Sequence, residues 1–326
     1  MTADGAGERT GALRPVIALS AQVAAGLIGH QVLVERLMVA LLAGGHVLVE
    51  GPPGLAKTRA VKRLAAGLAG SFARIQCTPD PMPPDILGTP GLRPHGGRFD
   101  FQPGPIFHEL VLVDEINRAP PKVQSALLEA MGEAQVTAGG VTRALPDPFM
   151  VVATQNSIEH EGTFPLPEAQ LDRFLLHLDL ALPDAAAERA ILDLVEDEAR
   201  TPAPPAPAPL GAQAIHAARA AVAQVHLAPA LKDFIVRLVV ATRETAGGPL
   251  EGLIEHAVSP RGTLSLAASA RARAGLMGRD HALPEDVEAL AADALSHRLI
   301  PSWRAVSEGL SSRALIERLL THVRPW

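Results

Sequence analysis

The sequence contains no tyrosine, one cysteine, and aromatic residues at only 3%. So few rings leave little from which to build a base-stacking platform. The apolar share, 48%, is carried mainly by Ala, Leu and Val, which suit helices and buried strands. The single cysteine, Cys77, excludes an internal disulfide and fits a reducing compartment. At a strand end it reads as a small buried hydrophobe. The twelve histidines show no metal-ligand spacing. No apolar run approaches the roughly 18 residues of a membrane span. The first ten residues, MTADGAGERT, lack the hydrophobic stretch of a signal peptide. The expectation is a soluble cytoplasmic protein with residues 1–15 disordered. Basic charge is also short: the formal net charge is −6, with signs mixed along the chain. Nonspecific nucleic-acid binding needs a basic footprint, so nucleic acid is not expected as a partner.

A chain of 326 residues admits about two domains. A helix is expected from His30 to Ala43, with Val34, Leu37, Met38, Leu41 and Leu42 on one face and Gly44-Gly45 as the stop. The strand His46–Glu50 then runs into GPPGLAKT, followed by a helix from Lys57 to Leu68 and a strand from Phe72 to Cys77. Later strands are Leu110–Val113, Phe149–Ala153 and Phe174–Leu180. PPKVQSALLEAMGE forms a helix between the first two, its prolines in the first turn. Apolar strands alternating with helices predict an α/β fold around a parallel sheet covered on both faces. Segments 91–101 and 134–145 each place Gly-Gly between strand-like flanks and read as inserted hairpins. PAPPAPAP, residues 202–209, reads as a stiff extended linker. Only helical patterns follow, over 211–224, 229–246, 262–276, 285–298 and 312–322.

The segment Gly51, Pro52, Pro53, Gly54, Leu55, Ala56, Lys57, Thr58 joins a strand to a helix. Backbone N–H groups of such a turn point at phosphate oxygens, Lys57 brings a positive charge to the β and γ phosphates, and the Thr58 hydroxyl can ligate magnesium. The general pattern has Gly where this chain has Ala56. LVLVDEINR places Asp114 and Glu115 at the carboxyl end of an apolar strand, where ligands bind in open α/β sheets. Asp114 can hold the metal there, and Glu115 can orient and deprotonate water. Asn156, after the next strand in VVATQN, can hydrogen-bond that water or a phosphate oxygen.

With these elements in place, the chain resembles the MoxR branch of the AAA+ ATPases. The likeness is carried by GGHVLVEGPPGLAKT, LVDEINRAPPKVQSALLEAMGEAQV and VVATQNSIEHEGTFPLPEAQLDRF, and is extended by LIGHQ and SPRGTLSLAASARA. Ala56 is what this branch carries at that position. The resemblance implies a P-loop NTPase (AAA+) core over 16–182 and an all-helical lid over 210–323. A connecting helix and Pro-rich linker would span 183–209. It implies ATP and Mg2+ as cofactors and a homo-oligomer, usually a hexameric ring. Arg173, in LDRF, would act as an arginine finger reaching the next subunit's site. Arg261, in SPRG, matches the position called sensor 2, in its own subunit or a neighbour's. Gly29 matches a turn near the adenine. The hairpins match insertions that carry motion to a partner, typically a client bearing a von Willebrand factor A domain in a chaperone-like maturation step. A nucleotide-gated scaffold that hydrolyses little, a metal-chelatase motor subunit and a DNA-translocating motor are the competing readings.

Overall fold

The computed structural model describes residues 3–92, 99–157, 162–200, 208–244 and 247–325. The five apolar runs form one sheet: β1 (Val47–Glu50), β2 (Phe72–Gln76), β3 (Leu110–Asp114), β4 (Met150–Gln155) and β5 (Leu176–Asp179). Its order is β2-β3-β4-β1-β5, and every pairing is parallel. Because side chains alternate across a strand, the runs feed two cores at once. Val47, Val49, Leu110, Leu112, Met150 and Val152 join the cluster on one face. Leu48, Val111, Val113, Val151 and Ala153 join the cluster on the other. Truncating a fully buried member such as Leu112 to Ala would cost about 2–5 kcal/mol.

Helices α1 (Ala3–Ala25), α2 (Gln31–Ala43) and α3 (Lys57–Ala66) supply the first cluster. Helices α4 (Pro83–Leu87) and α5 (Pro121–Glu133) supply the second. Short α6 (Glu168–Leu171) precedes β5, and α7 (Ala185–Arg200) follows it. The C-terminal helices are α8 (Ala212–Ala223), α9 (Pro229–Ala241), α10 (Pro260–Leu276), α11 (Pro284–Leu295), α12 (Trp303–Ser307) and α13 (Ser312–His322). The first cluster runs without a break from the sheet through α2 into α8–α11. Polar links reinforce that junction. Arg36 Nε donates to Asp293 Oδ2 at 2.7 Å, and Arg273 Nε to Glu35 Oε1 at 2.8 Å.

Residues 3–15 correct the expectation of disorder, since they begin α1. Gly5, Gly7, Gly11 and Pro15 read as breakers, yet Leu13, Val16, Leu19 and Val23 recur at helical spacing and are buried in the first cluster. Tertiary burial overrides local propensity there. The first hairpin pairs Gly88–Leu92 with Phe99–Pro103, so it starts before residue 91; Arg93, His95 and Arg98 lie outside the described residues. The second pairs Gln135–Ala138 with Val141–Ala144 across Gly139-Gly140. Residues 202–207 of the Pro-rich segment lie outside the described residues.

Candidate nucleotide site

Register brings the polar residues together. Across the sheet Glu50 lies opposite Gln155, and Gln76 opposite Asp114, so the chemistry-bearing residues share the carboxyl edge. β1 hands the chain to the loop 51–56. Gly51 has φ 152°, and a Cβ there would sit 2.7 Å from the Leu180 carbonyl oxygen, so only glycine fits this close approach. Ala56 holds φ 51°, ψ 19° as the residue before α3. Its methyl offers no capping acceptor, which leaves the first-turn N–H groups of α3 available to an anion. The Lys57 ammonium donates to the carbonyls of Gly51 at 2.6 Å and Gln155 at 2.9 Å, tying the loop to β4. Burial lowers the Lys57 pKa, against the opposing pull of Asp114, Glu115 and Glu50.

Asp114 is mostly buried and fully engaged. Its Oδ1 accepts from Thr154 Oγ1 at 2.5 Å. Its Oδ2 accepts from Thr58 Oγ1 at 3.3 Å and from Arg74 Nη2 and Nε at 2.7 and 3.1 Å. Burial pushes this carboxyl up, but the bonds from Thr154, Arg74 and Thr58 outweigh it and hold the pKa below the usual carboxylate value. Glu115 follows in a left-handed backbone conformation, φ 57°, ψ 52°. Its N–H donates to Thr154 Oγ1 at 3.0 Å. Its Oε2 accepts from Gln76 Nε2 at 3.2 Å and pairs with Arg118 Nε at 3.2 Å. Asn156 is buried at the end of β4, one residue past the Gln155 carbonyl that holds Lys57.

Beside the loop lies a cavity of about 290 Å³. Pro53, Gly54, Leu55, Ala56 and Arg59 line one side; Leu27, Ile28 and His30 line the second; Leu182, Ile191 and Val195 close the third. Gly29 backs onto Ala187 of α7. Arg59 Nη2 holds Glu198 at 2.6 Å, so α7 is tied across α3. The residues present fit a nucleotide with its metal. A hydroxyl and a carboxylate on adjoining elements are the hard oxygen donors magnesium takes. The capless α3 terminus suits phosphate, and the apolar cavity walls suit a planar base.

Arg173 and Arg261 stand apart from this cavity. The Arg173 guanidinium donates to the Leu128 carbonyl and lies over Gly132, where an added Cβ would be 2.3 Å from Nη1. Arg261 is exposed and lies 3.6 Å from Asp172, the residue before Arg173; buried Arg298 holds the same carboxylate at 2.7 Å. Arg261 is therefore placed at the residue next to Arg173, and neither arginine lines the cavity beside the phosphate loop. Sequence reasoning missed Arg74, Gln76, Arg118, Thr154 and the α7 wall. On the hairpins, Arg143 stacks over the Phe101 ring at 3.7 Å, so this cation is spent joining the two insertions.

Comparison with known proteins agrees with this fold. Residues 46–176 match the ATPase family associated with various cellular activities (AAA), and residues 251–319 match the AAA lid domain. Chaperone MoxR1 of Mycobacterium tuberculosis is 44% identical over 300 residues, 91% of this chain and 78% of that protein. Protein MoxR of Methylorubrum extorquens is 33% identical over 85% of each chain. A crystal structure from Cytophaga hutchinsonii, whose ATPase assignment is provisional, superposes with a TM-score of 0.86 at 37% identity, covering 98% of this chain and 97% of that one. Among the described residues, no helix is long and apolar enough to cross a membrane.

Proposed function

This chain belongs to the MoxR branch of the AAA+ ATPases, and on that premise we propose that it hydrolyses ATP with magnesium in a ring of identical subunits, driving the remodelling of a protein client. The observation that carries the reading is the meeting of Lys57 and Thr58 with Asp114 and Glu115 at one edge of the sheet. Lys57 neutralises the terminal phosphates, and turning to them releases it from the Gly51 and Gln155 carbonyls. Thr58 and Asp114 hold the metal, which supplies charge neutralisation at the phosphates. Glu115 takes the proton of the attacking water once its carboxylate leaves Gln76, and Asn156 orients that water from the next strand.

Arg173 serves a neighbouring subunit, which makes turnover depend on assembly. Its separation from the chain's own cavity supports that role, and Arg261, beside Asp172, is read as facing the same neighbour. The similarity to proteins named for chaperone and MoxR functions supports a protein client, possession of a von Willebrand factor A domain being its expected mark. Phosphate release tests the reading: the wild type should turn over ATP only with magnesium, and Glu115→Gln should reduce kcat by about 100-fold or more while still binding nucleotide. Wild-type turnover by Glu115→Gln would remove Glu115 as the base.

A further inference from the structure

We propose that Arg74 is a resident cation at the metal-facing oxygen of Asp114, so that a divalent ion reaches this carboxylate only by displacing it. The inference rests on the reading of Thr58 and Asp114 as the metal-holding pair. Asp114 Oδ1 is already taken by Thr154. Of the contacts to Oδ2, the Thr58 hydroxyl is the longest at 3.3 Å, while the Arg74 guanidinium grips it through two nitrogens, at 2.7 and 3.1 Å. The β2–β3 register sets this up: Gln76 lies opposite Asp114, and Arg74, two residues earlier on the same face, reaches forward to it. Gln76 Oε1 accepts the same Arg74 nitrogen at 2.5 Å and steadies it.

A guanidinium cannot shed its charge by losing a proton in a protein, so it leaves Asp114 only by moving. Arg74 has room to do so, its side chain being 43% exposed against 11% for Asp114. Magnesium alone must surrender tightly held waters and evict a charge-assisted pair, gaining one carboxylate and one hydroxyl. A triphosphate changes that balance twice over. It adds oxygens to the metal's shell, and it offers Arg74 a new anion. The nucleotide-free protein therefore holds divalent metal weakly, and metal enters together with the triphosphate.

Mn2+ titration followed by electron paramagnetic resonance reads this directly, with the full chain and without turnover. In the absence of nucleotide, Arg74→Gln should tighten Mn2+ binding by about tenfold or more over wild type, whereas Arg118→Gln, which removes a guanidinium from the neighbouring Glu115, should change it by less than about threefold. The double variant Arg74→Gln, Asp114→Asn should lose the gain. With a nonhydrolysable ATP analogue, wild type and Arg74→Gln should both bind Mn2+ tightly. Arg74→Lys keeps the charge but loses the fork and covers the case in which Arg74→Gln does not fold; it should tighten nucleotide-free binding by about threefold. Unchanged affinity in the Arg74 variants alongside normal binding with the analogue would overturn the proposal and leave the nucleotide site standing. An equal gain in Arg118→Gln would also overturn it, as bulk charge would then suffice. Failure of every protein to bind Mn2+ with the analogue would instead sink the metal-site reading itself.

Discussion

Thr154 Oγ1 donates to Asp114 Oδ1 at 2.5 Å, and the same oxygen accepts the backbone N–H of Glu115 at 3.0 Å. One hydroxyl on β4 thus fixes both members of the acidic pair that ends β3. The bond to Asp114 aims Oδ2 at Thr58, and the bond to Glu115 secures its left-handed backbone. Thr154→Val keeps the shape and removes both bonds. Leaving a buried carboxylate oxygen and an N–H unpaired should cost about 1–3 kcal/mol. Loss of positioning should lower kcat by about tenfold with little change in nucleotide affinity. Thermal melts and steady-state phosphate release check the two effects separately.

Much of this site is legible in the amino-acid order, for a definite reason. The residues of GPPGLAKT act through backbone geometry that short-range sequence dictates, and the pair Asp114-Glu115 is marked by the apolar strand before it. Thr154 looks like any strand threonine, and Arg74 like a surface arginine in FARIQ. Their roles depend on which strands lie side by side and in what register, which local pattern does not encode. The α7 wall of the cavity is hidden for the same reason. So is α1, whose stripe of Leu13, Val16, Leu19 and Val23 acquires meaning only against the lid helices.

Arg173 yields a prediction that separates a role in a neighbour's site from a structural one. In its own chain its guanidinium donates to the Leu128 carbonyl rather than to a residue of the phosphate loop. Arg173→Ala should therefore retain nucleotide affinity yet lose kcat by about 1,000-fold. Mixing it with equally inactive Lys57→Ala subunits should restore part of the turnover, because each variant supplies the half-site that the other lacks. Absence of rescue in mixtures shown to co-assemble would remove the role in trans.

His46 makes the fold acid-sensitive. Its Nδ1 accepts the Val151 N–H at 3.0 Å and its Nε2 faces the Met131 carbonyl at 3.1 Å, so the neutral ring with its proton on Nε2 fits this pocket. Burial, aided by the Arg219 charge and opposed by the Met131 carbonyl, lowers its pKa from 6.5 to about 4. The unfolded chain then binds the extra proton first. Stability from this residue is complete above pH 6.5 and declines as pH falls towards about 4. The decline amounts to about 3 kcal/mol. Denaturant midpoints across that interval should fall in the wild type and fall less steeply in His46→Gln, which starts from a lower value.

The central claim is that the loop from Gly51 to Thr58 holds a triphosphate with its metal against Asp114. Calorimetric titration of the nucleotide-free protein with a nonhydrolysable ATP analogue and magnesium tests it most directly. The account predicts saturable binding of one nucleotide per chain, weakened by Lys57→Ala and reduced when magnesium is withheld. No saturable binding by folded wild-type protein, or equal binding by Lys57→Ala, would contradict it.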